Sequence, residues 1–223
     1  MRNGLEVVLF NVGNTLLFPN WQRILTPLHE KRVRPDIEQL RSIERRTKRE
    51  FDDQVTTGKV DRGFWWMFYG HLLEETGKAD ADLQTALTRN TQVSANWDQI
   101  RPGTREALDK IGSKYRIGVI SNADGKIANV LTFCGICDCF LSVTDSGNVG
   151  HEKPHPAIFS AALEAMKIDA EKALYVGDLY SVDYVGATKS GMKAVLMDVS
   201  GAYRERGLPR VETLEELERH LEV

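Results

Sequence analysis

The sequence predicts an α/β protein, a parallel sheet flanked by helices and interrupted near its start by an all-helical insert. Three observations carry this. The chain opens on a short apolar run, Val7-Val8-Leu9-Phe10, that stops at Asn11-Val12-Gly13-Asn14-Thr15. An apolar run ended by turn residues reads as a buried parallel strand entering a loop. From 104 onward, helical and strand patterns alternate, as in a parallel sheet with helices on both faces. Between 19 and 93 there is no strand pattern at all.

Taken in order, residues 19–32 carry Trp21, Ile24, Leu25 and Leu28 at helical spacing. Pro35 suits the start of the next helix, where a missing N–H costs nothing. That helix, over 36–55, is dense in charge, with Arg41, Arg45, Arg46, Lys48 and Arg49 among Glu38, Glu44 and Glu50. Interleaved acids and bases read as a solvated face with i,i+4 pairs, not as a nucleic-acid patch. Gly58 breaks the pattern. Asp61 is expected to cap a third helix reaching 76. It carries Phe64, Trp65, Trp66, Met67, Phe68 and Tyr69, which cannot share one side. Most are expected in the core, and one or two in the wall of a cavity. A fourth helix runs from Asp80 or Asp82 to 93.

The alternating part follows: helix 104–111, strand 116–120, helix 126–133, an apolar stretch 140–143, helix 156–166, strand 173–176, helix 182–190 and strand 193–197. Thr213 opens a Thr-x-x-Glu capping pattern for a terminal helix to 221. The expected organisation is thus a Rossmann-like sheet unit, 1–17 and 97–223, and a helical unit, 18–96. The insert leaves directly after the first strand's loop. It is expected over the carboxyl end of the sheet, where open α/β sheets do their chemistry, in the position of a lid that excludes water.

The totals narrow the function. With 223 residues, a net charge of −3 and 42% hydrophobic residues, the chain reads as an ordinary globular protein. No nucleic-acid or membrane partner is expected, since no apolar run nears the roughly 20 residues of a span. There is no signal-peptide pattern, and three Cys argue against a disulfide framework, so a cytoplasmic setting is expected. Cys134, Cys137 and Cys139 lack a fourth ligand and read as ordinary thiols. Monomer and homodimer both remain open.

Four stretches in order resemble the motifs of the haloacid dehalogenase-like (HAD) superfamily. They are Asn11-Val12-Gly13-Asn14-Thr15, Ser121-Asn122 at a strand end, Lys153-Pro154, and Gly177-Asp178 followed by Asp183. Each alone is weak, but four in the right order are specific. The helical insert is similar to the family's C1 cap. The resemblance implies Mg²⁺-dependent hydrolysis of a small phosphorylated molecule. Ser121, Asn122 and Lys153 would bind the phosphoryl group. Position 11 would be the nucleophile. Asn11, the backbone carbonyl of Gly13, Asp178 and Asp183 would hold the metal, Asp183 either directly or from behind the other ligands. The chemistry asks for such groups, because an anionic nucleophile and a phosphate repel until cations offset the charge.

Two departures matter. Asn11 stands where the family has its nucleophilic Asp, and an amide is a far poorer nucleophile. The chain is therefore expected to bind substrate and turn over slowly or not at all, as an engineered trap or as an inactive relative. Gly13 stands where most phosphatase members have an acid that protonates the leaving group. An active parent would then favour aryl or acyl phosphates, unless another group, such as His71, gives the proton. A 2-haloacid dehalogenase and a non-catalytic binding protein are the alternatives. Asp178 favours phosphate chemistry over the former. His151 and His155 receive no role.

Overall fold

The structure, a computed structural model, describes residues 4–223; the first three lie outside the described residues. Its centre is a six-stranded sheet in the order β5-β4-β1-β6-β7-β8. The strands are β1 (Val7–Phe10), β4 (Arg116–Ser121), β5 (Ser142–Asp145), β6 (Ala173–Gly177), β7 (Lys193–Met197) and β8 (Arg210–Val211), each parallel to its neighbours. β1 lies between β4 and β6 and all four of its residues are buried, because helices cover both faces of a parallel sheet. The chain adds β4 on one side of β1 and β6 on the other. That change of direction opens a crevice beyond the carboxyl ends of these three strands.

Helices α6 (Thr104–Lys114), α7 (Ile127–Phe133), α8 (Ser146–Val149), α9 (Pro156–Met166), α10 (Val185–Lys189) and α11 (Leu214–Leu221) belong to this half. The Thr213 hydroxyl accepts from the Glu216 N–H, as the Thr-x-x-Glu pattern predicts. The helix expected over 182–190 begins instead as a π-turn, Tyr180–Tyr184, ahead of α10. His155 caps α9, its Nδ1 accepting from the Ala157 N–H at 3.2 Å.

The other half is helical: α1 (Trp21–Ile24), α2 (Thr26–Glu30), α3 (Ile37–Thr56), α4 (Phe64–Glu75) and α5 (Ala81–Gln92). The single helix expected over 19–32 is two, since Pro27 has no N–H to continue the first. α4 starts at Phe64 after Gly63, so Asp61 is not its cap. Phe64, Phe68 and Tyr69 are buried in a core of their own with Leu28, Ile43, Phe51 and Leu72. The two chain crossings between the halves pair as an antiparallel ribbon, β2 (Leu17–Phe18) with β3 (Gln99–Ile100).

α3 departs most from expectation. Arg41 and Glu38 do form an exposed i,i+3 pair. But Lys48 and Asp52 are wholly buried, and Arg45 and Arg49 donate to the carbonyls of Ser200 and Ala202 at 3.3 Å. This face is docked on the sheet half, not solvated.

Candidate functional site

Asn11, Ser121 and Asp178 follow or end β1, β4 and β6, so three adjacent strands deliver them to one place. With Gly13, Asn122, Lys153 and Asp183 they line one cavity of about 560 Å³. Its far wall is aromatic, built from Phe51, Phe64, Trp65, Trp66 and Trp97.

Asn11 is at the centre. Lys153 Nζ donates to its Oδ1 at 2.9 Å. Its Nδ2 donates to the Gly13 carbonyl and to Asp178 Oδ1, both at 2.9 Å. The amide's orientation follows from its neighbours, because an ammonium only donates and a carboxylate only accepts. Lys153 Nζ also reaches Tyr175 Oη and Asp183 Oδ1, both at 2.8 Å. Asp183 Oδ2 accepts from the N–H groups of Asp178 and Leu179, at 3.0 and 2.9 Å. Both oxygens of Asp183 are thus engaged, and it braces Lys153 and the loop after β6. Gly177 makes room for it: a Cβ there would stand 2.5 Å from Asp183 Cγ. Burial and Asp183 push the Tyr175 phenol up, so it stays protonated.

Ser121 is buried and lines the cavity. Asn122 lines the same cavity, but its side chain is committed to backbone. Nδ2 donates to the Lys153 carbonyl at 3.1 Å and Oδ1 accepts from the Lys153 N–H at 2.7 Å. Both ends of its side chain thus hold the Lys153 backbone in place. His71 lies outside the cavity, with Nε2 2.7 Å from Glu50 Oε2, so it is not placed to protonate a leaving group there. Gly13 sits under Trp97.

Lys48, which sequence reading assigned to a solvated face, stands with Nζ 3.0 Å from Asp178 Oδ2 and 2.9 Å from Glu44 Oε1. These are ion-pair contacts, neither aligned as a hydrogen bond. Burial alone would lower the Lys48 ammonium, but Asp178 and Glu44 outweigh it and hold it well above the ordinary lysine value. Asn14, in the left-handed region at φ 53°, turns its Nδ2 to within 3.4 Å of Asp178 Oδ2. A sequence signal for Lys48 existed: it borders the apolar stripe Leu40, Ile43 and Phe51 on α3.

These contacts bear on the expected Mg²⁺. It takes near-octahedral oxygen ligands. Here Asp178 Oδ1 and the Gly13 carbonyl accept from an amide, and Asp178 Oδ2 faces an ammonium. No group of three His, Cys, Asp or Glu side chains among the described residues is arranged for a metal. As they stand, these donors do not fit the ion.

Compared with known families, the chain matches haloacid dehalogenase-like hydrolase over residues 6–191. It belongs to that family. The haloacid dehalogenase-like hydrolase domain-containing protein 3 of Xenopus laevis is 32% identical over 148 residues, 64% of this chain and 60% of that protein. Glyceraldehyde 3-phosphate phosphatase of Methanothermobacter thermautotrophicus is 39% identical over 107 residues, 47% of each. The matches therefore span about half to three-fifths of these relatives. The Bacillus subtilis HAD-hydrolase YfnB, crystallised bound to magnesium, superposes with a TM-score of 0.71 at 21% identity over 100% of both chains. A HAD phosphatase from Thermococcus onnurineus gives 0.61 at 22% identity, over 97% of this chain and 98% of that one. These two likenesses establish the HAD fold for the chain. No helix among its described residues is long and apolar enough to cross a membrane.

Proposed function

We propose that this HAD protein binds a small phosphate monoester with its phosphoryl group between Ser121 and Lys153, and that hydrolysis is absent or residual because Asn11 holds the nucleophile's place. The supporting observation is the 2.9 Å hydrogen bond from Lys153 Nζ to Asn11 Oδ1. It puts a buried cation beside the atom that would face phosphorus, and a cation there favours an incoming anion. Asn11's nitrogen is conjugated with its carbonyl and gives both hydrogens to oxygens. The group binds and orients but does not attack.

The aromatic wall of Trp65, Trp66 and Trp97 favours an apolar or aryl group on the ester. Residues 18–96 act as a cap that keeps water from the bound group. Named relatives acting on glyceraldehyde 3-phosphate support the phosphoester class. In a form with Asp at position 11, two carboxylates and the Gly13 carbonyl would converge, and Mg²⁺ would find oxygen donors and offset their repulsion.

Phosphate release from an aryl phosphate tests this, for the chain as it stands and for Asn11→Asp, with and without Mg²⁺. The expected result is activity in Asn11→Asp alone, dependent on Mg²⁺. An inactive Asn11→Asp variant that also fails to bind orthovanadate overturns the reading.

A further inference from the structure

Asp178 has two carboxylate oxygens, and neither is left for a metal. Oδ1 is 2.9 Å from Asn11 Nδ2, and Oδ2 is 3.0 Å from Lys48 Nζ. Lys48 comes from the helical unit, not from the sheet half that carries the four motifs. Its side chain is wholly enclosed, and Glu44, one turn earlier on α3, holds its other side. The helix is fixed in this place by the same face. Asp52 Oδ1 accepts from the Ser181 N–H at 2.9 Å, and Arg45 and Arg49 reach the carbonyls of Ser200 and Ala202. Residues 45, 48, 49 and 52 share one helical face. Lys48 therefore leaves Asp178 only if α3 undocks from the loops after β6 and β7.

The charges point the same way. Position 11 is an amide and position 13 has no side chain, so Asp178 has no second carboxylate from the loop after β1 beside it. One positive charge, the Lys48 ammonium, stands beside Asp178. An amide N–H pair between Gly13 O and Asp178 Oδ1, and an ammonium on Asp178 Oδ2, satisfy the oxygens that a divalent ion would otherwise join.

We infer that Lys48, together with the Asn11 amide, serves as a built-in replacement for the divalent cation, so that this pocket takes its phosphate-bearing ligand without metal. This rests on the phosphate-binding reading above, and the two can fail separately. A consequence follows for the fold: Asp178 becomes part of the joint that holds the helical unit shut.

The test uses the full chain and two probes, Mn²⁺ followed by its electron paramagnetic resonance signal and orthovanadate followed by calorimetry. The chain should leave Mn²⁺ free up to the order of 1 mM, the weak end of protein sites for hard divalent cations. Orthovanadate affinity should be the same in buffer stripped of divalent metal by a chelating resin as with Mg²⁺ added. Asn11→Asp combined with Lys48→Met should bind Mn²⁺ at least about tenfold more tightly than Asn11→Asp alone, because a buried neighbouring cation has been removed. Lys48→Arg, which keeps the charge, should not show that gain. Sub-millimolar Mn²⁺ binding by the unaltered chain overturns the inference, whether or not the Lys48→Met forms fold. So does orthovanadate binding that is lost in resin-stripped buffer and restored by added Mg²⁺. Exclusion of Mn²⁺ with no orthovanadate binding under any condition upholds the replacement of the metal and overturns the phosphate reading instead.

Discussion

The Trp97 ring lies against Gly13, where a Cβ would come within 3.1 Å of Cζ3. The ring is held by its Nε1, which donates to the Thr91 carbonyl at 2.8 Å, and by edge-on contact with Trp65. The space that a side chain at position 13 would enter is therefore occupied by an aromatic ring from the return crossing. Gly13→Asp is expected to cost about 1–3 kcal/mol by overpacking, read from the urea midpoint, and Trp97→Ala in the same chain should recover part of it. In an Asn11→Asp background it should not bring alkyl phosphates the roughly 10²–10⁴-fold help of a general acid. A gain of that size on alkyl but not aryl esters would show that the ring yields and the acid works.

Gly177 and Asp183 form a second close pair. An alanine Cβ at 177 would stand 2.5 Å from Asp183 Cγ, so the carboxylate would be driven off the Asp178 and Leu179 N–H groups. Gly177→Ala is expected to destabilise by about 3 kcal/mol or more, combining overpacking with lost hydrogen bonds to a charge. Orthovanadate affinity should fall with it, because Asp183 also braces Lys153. An unfolding midpoint within error of the parent would contradict this account of the glycine.

Lys153 and Asp183 are both nearly enclosed and 2.8 Å apart. Removing one partner strands the other, which costs about 3–5 kcal/mol for buried pairs. Lys153→Met should show that loss, and Lys153→Met with Asp183→Asn should regain most of it. Anion binding should return in neither. If the double variant binds orthovanadate like the parent, Lys153 is structural only and the proposed phosphoryl contact is lost.

Much of this was legible in the sequence because both faces of the central strands are buried. Val7 to Phe10 and Ala173 to Val176 therefore read as plain apolar runs, and the polar residues that end them mark the crevice. Strands of two residues, such as Leu17–Phe18 and Arg210–Val211, carry no period to detect. Lys48 went unread for a different reason. On a helix rich in Arg, Lys and Glu, only its neighbours in space separate a buried ammonium from a solvated one. Its nearest sign, a charge bordering the stripe of Leu40, Ile43 and Phe51, is one that exposed lysines share.

Asp98 ties the two crossings together and gives a pH-dependent prediction. Asn20 Nδ2 donates to its Oδ1 at 3.0 Å, and Arg23 Nη1 lies 2.7 Å from its Oδ2. Burial alone would raise the Asp98 carboxyl, but Gln99, Asn20 and Arg23 outweigh it and hold it below the ordinary carboxylate value. An acid depressed in the folded state contributes stability that is fully present above its unfolded pKa, about 3.9, and is lost as pH falls through the folded value. Arg23 is half exposed, so the contribution is small, at most about 1 kcal/mol. Asp98→Asn should therefore unfold earlier than the parent by a constant margin from pH 8 to about pH 5, and the margin should close below about pH 4. Urea midpoints for both proteins across that range measure it. A margin that persists unchanged at pH 3 would mean that Asp98 acts through shape and neutral hydrogen bonds, with its charge contributing nothing to the joint between the crossings.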